Sequence, residues 1–415
     1  MREMKDSGIE WIGDIPVYWK IMPNKYLMRK EKKICPVYHG EDILSLTMKG
    51  VIVRDLDAGG KMPASFDGYQ RLEAGNLLMC LFDIDVTPRC VGLIKQAGVS
   101  SPAYSQFVLR KGADAAYYCY YYTMLDNDKT LLHLAKNLRH SLTEDQLGAI
   151  PVIVPPIEEQ QRIADFLDTK CAEIDALTAD IQTQIDTLEQ YKRSVITETV
   201  TKGLNPDAEM KDSGVFYMAP MNASWGLTKI GYICTKLSRS FVPEDTALIC
   251  SNKGKVQVRA DDLTGIMVSD DNAMQGIRAG DIAIHGMDTW HGAIALSEFD
   301  GKITRVVHVC DSTEDKRFIV YYMQHLAFQG VYKLISNGVR GNTSDFRSWD
   351  KVRDIWIAIP KTRQEQKAIC DYLDRRCNAV EEVISTKKQQ LEVLADYKKS
   401  LIFEYVTGKK EVSLS

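Results

Sequence analysis

No stretch of the 415-residue chain approaches the roughly 20 consecutive apolar residues of a membrane-crossing helix. The opening residues, Met1-Arg2-Glu3-Met4-Lys5-Asp6, lack the apolar core of a secretory signal. The expected location is the cytoplasm, with no membrane partner. Cysteine occurs ten times but never as Cys-x-x-Cys, and never with histidine at zinc-ligand spacing. That argues against a zinc site or a disulfide framework, and Cys171 and Cys377, inside helical patterns, read as small buried hydrophobes. No phosphate-binding Gly-x-x-x-x-Gly-Lys-Ser/Thr is present, since Gly59-Gly60-Lys61 is followed by Met62, and so no nucleotide-driven motor is encoded. An enzyme that methylates a flipped adenine would carry Asn/Asp-Pro-Pro-aromatic and a glycine-rich cofactor loop. The lone Pro-Pro, in Val154-Pro155-Pro156-Ile157, has neither flank. The expectation is a chain with no catalytic residues, no metal and no cofactor.

What is present is an ordinary globular composition, 45% apolar and 26% charged, with a net charge of −4. Such a balance argues weakly against nucleic-acid binding, but it is unevenly spread. Residues 158–200 hold ten acids and four bases, a net of −6, and residues 363–410 hold eight acids and ten bases, a net of +2. The rest is neutral in sum, so any basic patch there is local.

The chain is one unit written twice. Glu3-Met4-Lys5-Asp6-Ser7-Gly8 recurs as Glu209-Met210-Lys211-Asp212-Ser213-Gly214, an offset of 206 residues. The same offset maps Trp19 onto Trp225, Glu159-Gln160 onto Glu365-Gln366, Cys171 onto Cys377, and Tyr191-Lys192 onto Tyr397-Lys398. A register held across both ends of the unit marks a tandem duplication. Each copy has a front part of strand-like runs broken by Gly and Asp, such as Asp42–Leu46 and Gly280–Ile284, and helix candidates at Tyr117–Leu125 and Phe318–Leu326. The fold class is therefore mixed α/β (α+β).

Each back part reads as one long helix. After Pro156 no Pro or Gly occurs until Gly203. Leu167, Ile174, Ile181, Leu188 and Val195 recur every seven residues, with Leu177, Ile185 and Tyr191 widening the stripe. In the second copy the seam is Leu373, Val380, Leu394 and Leu401, with Val383, Ile384, Leu391 and Tyr397 beside it. Heptads with apolar seams predict a coiled coil, and Gln184 and Lys387 interrupt the seams as register-setting polar residues do. An acidic helix and a slightly basic one suit each other, so antiparallel pairing is expected. About 42 residues at ~1.5 Å each make a rod of roughly 60 Å, expected to hold two heads at opposite ends about a pseudo-two-fold axis. The expected domains are residues 1–150 and 206–355 as heads, with 151–205 and 356–415 as helical spacers.

Two motifs resemble a known family. Lys5-Asp6-Ser7-Gly8-Ile9-Glu10-Trp11-Ile12-Gly13-Asp14-Ile15-Pro16, followed by Trp19, resembles the lead-in segment of type I restriction–modification specificity subunits. Ile150-Pro151-Val152-Ile153-Val154-Pro155-Pro156-Ile157-Glu158-Glu159-Gln160-Gln161-Arg162-Ile163-Ala164 resembles the junction where their target-recognition domain meets the helix. The resemblance covers the whole chain. It implies two target-recognition domains separated by two antiparallel helices, and a bipartite, asymmetric site on double-stranded DNA. It also implies assembly with two modification subunits that methylate adenine and with translocating, cleaving restriction subunits. The second copy departs from the pattern, with Pro360-Lys361-Thr362 at its junction and Tyr217-Met218-Ala219-Pro220 after its lead-in.

Arginine suits guanine and asparagine suits adenine, while phosphate contacts set orientation. The polar, basic run Ser336–Thr343 makes Arg340, Asn342 and Asn337 the leading DNA-contact candidates, with Arg139 their counterpart in the first copy. Asp288–Gly292 offers Trp290 and His291, with Arg89 in the equivalent region; Trp290 has the competing reading of a core residue. Lys253, Lys255 and Arg259 suit phosphates, against the alternative of a plain exposed hairpin, and Ser101 and Tyr104 lie in a candidate reading turn. His39, His133 and His308 read as structural. Trp11 and Trp19 are expected to dock the lead-in segment across the duplication onto the helices. A second functional reading is a coiled-coil adaptor with two protein-binding heads, which explains the helices and the duplication but not the two motifs.

Overall fold

A computed structural model describes residues 2–57, 63–87, 89–135, 140–259, 271–336 and 346–413. The chain forms two compact units, one of residues 1–181 with 388–415 and the other of residues 182–387. The front part of each unit is mixed α/β, and residues from both long helices, Ile157–Lys202 and Arg363–Val406, complete it.

In the first unit, Ser105–Leu109 is the centre of an antiparallel sheet, flanked by Met28–Glu31 on one side and by Leu77–Met79 and then Val91–Leu93 on the other. Helix Ala115–Asn127 covers it. Its amino end is capped by Asp114, whose carboxylate accepts the Tyr117 N–H at 2.9 Å. Tyr117, Tyr118, Tyr121 and Tyr122 give this helix a fully buried aromatic face, and each hydroxyl finds an acceptor: the carbonyls of Val406, Ile153 and Pro151, and Asn24 Oδ1. A second layer consists of the hairpin Leu44–Thr47/Gly50–Val53 and the pair Gln70–Leu72/Gly98–Ser100, joined by a parallel bridge between Ile43 and Val99. The pair Lys20–Pro23/Pro151–Val154 leads the chain into the first long helix.

The second unit repeats this plan. Its main sheet runs Cys234–Lys236, Val307–Ser312, Ile282–His285, Ile294–Leu296. Asp315 caps the covering helix Lys316–Phe328, accepting the Arg317 N–H at 2.9 Å. The second layer runs Lys255–Val258, Ala247–Ser251, Gly301–Thr304, Met274–Ile277, again with one parallel neighbour pair. Gly226–Lys229 and Trp356–Ile359 form the lead-in pair. The helix signals read from Tyr117–Leu125 and Phe318–Leu326 fall within observed helices, and the strand signal Ile150–Val154 begins one residue before the strand Pro151–Val154.

The junction motif has a physical role. Glu159 accepts the Trp19 indole N–H at 3.0 Å and an Arg2 guanidinium N–H at 2.7 Å. Gln160, fully buried, accepts the Asp114 N–H at 2.8 Å and donates to the carbonyls of Pro155 and Gly112. In the second unit Glu365 accepts from Trp225 at 2.8 Å, and Gln366 accepts the Asp315 N–H and donates to Pro360. Trp19 and its counterpart Trp225 dock across the duplication. Gly408, which follows the second helix, has a left-handed backbone (φ +71°), and a Cβ there would lie 2.8 Å from Trp19. Gly203, after the first helix (φ +89°), packs against Trp225 in the same way.

Within each unit the long helices run antiparallel. In the first, Phe166 and Tyr405 rings lie 4.4 Å apart and Lys398 pairs with Asp175 at 2.6 Å. In the second, Lys192 pairs with Glu381 at 2.5 Å, the Arg376 guanidinium donates to the Tyr191 hydroxyl, and Lys387 bonds Gln184. Leu167, Ile174, Ile181, Leu373 and Leu401 are buried seam residues, and Leu188, Val195, Val380 and Leu394 are half-buried. The stripe is widened only in part as the sequence suggested, since Ile185 and Ile384 are buried and Leu391 half-buried. Leu177, Tyr191, Val383 and Tyr397 are exposed. The seam steps four and then three residues, so its other positions are Cys171, Thr178, Ile185 and Lys192 in the first helix and Cys377, Ile384, Lys387, Leu391 and Lys398 in the second.

Candidate nucleic-acid interface

In each unit the main sheet's hairpin loop meets the segment that follows a short helix. The first unit has loop 80–90 between Leu77–Met79 and Val91–Leu93, and the second has loop 286–293 between Ile282–His285 and Ile294–Leu296. The Ile84 N–H donates to the His140 carbonyl at 3.2 Å, and the Leu142 N–H to the Leu81 carbonyl at 2.8 Å. In the second unit the Phe346 N–H donates to the Gly286 carbonyl at 3.0 Å, and His308 Nε2 lies 2.7 Å from the Phe346 carbonyl. A Cβ on Gly286 would lie 2.8 Å from that same Phe346 oxygen, so glycine permits this approach. Two of the three non-glycine residues with positive φ among the described residues, Asp83 (+47°) and His140 (+44°), fall in the first unit's loop pair. Backbone strain of this kind persists only where neighbours over-determine it.

The leading candidates Asn337, Arg340 and Asn342, and Arg139, lie outside the described residues. Their anchored flanks do not: Ser336 and Phe346 in one unit and Ala135 and His140 in the other frame them. The structure therefore brings the flanks of two separately chosen stretches together, 286–293 with 336–346 and 80–90 with 135–142.

Within that frame the candidates differ in how free they are. Arg89 is largely buried, with its guanidinium donating to Asp126 at 3.3 Å and Asn127 at 3.0 Å, so it ties the loop to the helix end. Trp290 lies in the turn Thr289–His291 at the margin of the core, its indole N–H without a hydrogen-bond partner among the described residues and the Lys333 ammonium 5.7 Å from its ring centre. His291 is exposed, 4.0 Å from Asp288. The neighbouring His285 is pushed down by burial, opposed by Asp288. Lys253 is exposed at the tip of hairpin 247–258, whereas the Lys255 ammonium is committed to Glu381 at 2.6 Å. The Arg259 side chain is half-buried, its N–H bonded to the Ala247 carbonyl. The turn at Ser101 and Tyr104 is anchored from within: both carbonyls accept from Gln70 Nε2, at 3.0 and 2.8 Å, and the Tyr104 ring packs among Leu44, Leu72, Leu78 and Ile94, where burial pushes its hydroxyl pKa up. Sequence reasoning missed Lys333, which a helix places just before the 337–345 segment, and the exposed Phe82 and Val86 of the first loop.

Among the described residues no cluster could hold a metal ion, and no helix is long and apolar enough to cross a membrane.

Each unit thus carries one α/β head with one loop pair, packed on a stretch of two antiparallel long helices. Residues 91–187 match the family of the type I restriction modification DNA specificity domain. A protein described as "Putative type I restriction enzyme MjaX specificity subunit", from Methanocaldococcus jannaschii, is 23% identical over 293 residues, 66% of this chain and 62% of its own length, so the match spans less than two thirds of that relative. A solved chain from work on complex assembly and conformational transition of the type I R-M system superposes with a TM-score of 0.68 at 13% identity, over 95% of this chain and 99% of that one, a likeness of fold. The chain is thus similar, over residues 91–187, to the type I restriction modification DNA specificity domain and, over 293 residues, to a type I restriction enzyme specificity subunit.

Proposed function

We propose that the protein recognises a bipartite, asymmetric site on double-stranded DNA, with residues 1–150 reading one half and residues 206–355 the other, carried on spacers 151–205 and 356–415. It performs no chemistry itself. It directs two modification subunits to methylate adenine, and restriction subunits to translocate and cleave, in the cytoplasm. The observation that supports this reading most is that one backbone plan, built twice, frames two loop pairs of unrelated sequence (80–90 with 135–142, and 286–293 with 336–346). A constant scaffold with divergent loops suits two independent readers. Arg340, Asn342, Asn337 and Arg139 are proposed to read bases, Trp290 and His291 to line the groove, and Lys253 and Arg259 to meet phosphates.

The experiment is a gel shift of the chain assembled with its modification subunits, paired with mapping of methylated adenines in a host carrying both. Sequence-selective binding and one two-part methylated motif are expected. Binding to proteins but not to duplex DNA would replace this reading with that of an adaptor.

A further inference from the structure

Glu381 is the meeting point of three elements of the second unit. It sits on the second long helix with its side chain only 32% exposed, and its carboxylate bonds Lys192 of the first long helix at 2.5 Å and Lys255 of hairpin 247–258 at 2.6 Å. Burial, the largest single effect, pushes its carboxyl up, but the two ammonium groups together outweigh it and hold the carboxyl below the usual carboxylate range. The hairpin tip is fixed again beside this pair. Gly254 has φ +69°, and a Cβ there would lie 2.4 Å from Gln324 Nε2 and 3.5 Å from the carbonyl of Gly292 in the 286–293 loop. In the first unit, the offset of 206 places Asp175 and Lys398 where Glu381 and Lys192 stand. That pair is made at 2.6 Å, but Asp175 is 64% exposed. The helix-to-helix ion pair is thus present in both units, while Lys255 adds a head-to-helix link in the second.

We propose that Glu381, bridging Lys192 and Lys255, is a positioning residue: it fixes hairpin 247–258, and with it the adjoining 286–293 loop, on the long helices, so that reading of one half-site depends on this triad. The proposal rests on the two-reader function above. It also reassigns Lys255, which holds its own head in place instead of holding a phosphate.

The test uses the full chain assembled with its modification subunits, with Lys255→Met, Lys255→Arg and Glu381→Gln variants. Lys255 is 60% exposed, so its substitution leaves the core intact. Hydrogen exchange of the 247–258 amides is measured first, because it does not depend on what the head binds. Faster exchange confined to that hairpin is expected in Lys255→Met and Glu381→Gln, with Lys255→Arg close to the parent. Binding is then measured on duplexes altered in one half-site or the other, across salt concentrations. Discrimination at one half-site should fall about 3- to 10-fold, within the lower part of the range of coupling between contacting residues, with the other half-site and the salt slope unchanged. A salt slope smaller by about 0.9, with all duplexes weakened equally, would make Lys255 a phosphate ligand and overturn the proposal. Unchanged exchange and discrimination in the variants would overturn it as well. A parent complex that prefers no sequence in either half would instead sink the two-reader function.

Discussion

At the scale of single residues, burial decides which side chains answer to pH. The His325 imidazole, on the buried side of the second unit's covering helix, has Nδ1 3.1 Å from the Thr197 hydroxyl, and burial pushes its pKa from an ordinary 6.5 down to about 4. His308, buried against Phe346, is pushed down too. A depressed folded-state pKa means that the unfolded chain takes up the proton first. The stability is therefore complete above pH 6.5 and is lost as pH falls toward 4. For His325 the limit is on the order of 3 kcal/mol, given 1.36 kcal/mol per pKa unit. Urea midpoints at pH 8, 6.5, 5.5 and 4.5 should fall steadily through that window, and a His325→Gln variant should show a flatter dependence. An equally steep fall in the variant would assign the effect elsewhere. Base reading is tested at Arg340: Arg340→Ala should cost about 1–3 kcal/mol and relax specificity at one position if the guanidinium grips a guanine. A uniform loss of affinity with a smaller salt slope would make it a phosphate contact.

At the scale of elements, the two long helices and the strands beside them were legible because their signals are local. Freedom from Pro and Gly over 157–202 and apolar residues every seven positions leave few alternatives. The second seam row was harder to see because chemistry disguises it. Thr178 and Lys192 occupy seam positions, the lysine lying along the groove with its charge answered by Glu381, while the more apolar Leu177 and Tyr191 one residue away face outward. This gives a sharp contrast in stability. Ile185→Ala, which removes a buried seam side chain, should cost about 2–4 kcal/mol. Leu177→Ala should stay within about 0.5 kcal/mol, as exposed substitutions do. Denaturant midpoints of both variants check the seam assignment, and equal effects would refute it. The candidate site was legible only in part for a related reason. Residue type found stretches 286–292 and 336–343, but not that Phe346 and Gly286 hydrogen-bond, nor that the charges of Arg89 and Lys255 are used within the fold. Partners distant in sequence leave no local pattern.

At the scale of the whole molecule, the duplication is the central fact. Glu159 with Trp19 and Glu365 with Trp225, Gln160 with Asp114 and Gln366 with Asp315, and Gly408 beside Trp19 and Gly203 beside Trp225 all repeat one set of joints. The joints recur while the loops they carry differ, so heads should be exchangeable as modules. The most direct measurement replaces residues 21–150 with the recognition domain of a type I specificity subunit, keeps Trp19, Glu159 and Gln160 in place, and maps methylated adenines in a host that supplies the modification subunits. One half of the two-part motif should change to that of the donor, with the other half retained. A motif altered in both halves, or left unaltered, would contradict the account of two independent readers on a shared scaffold.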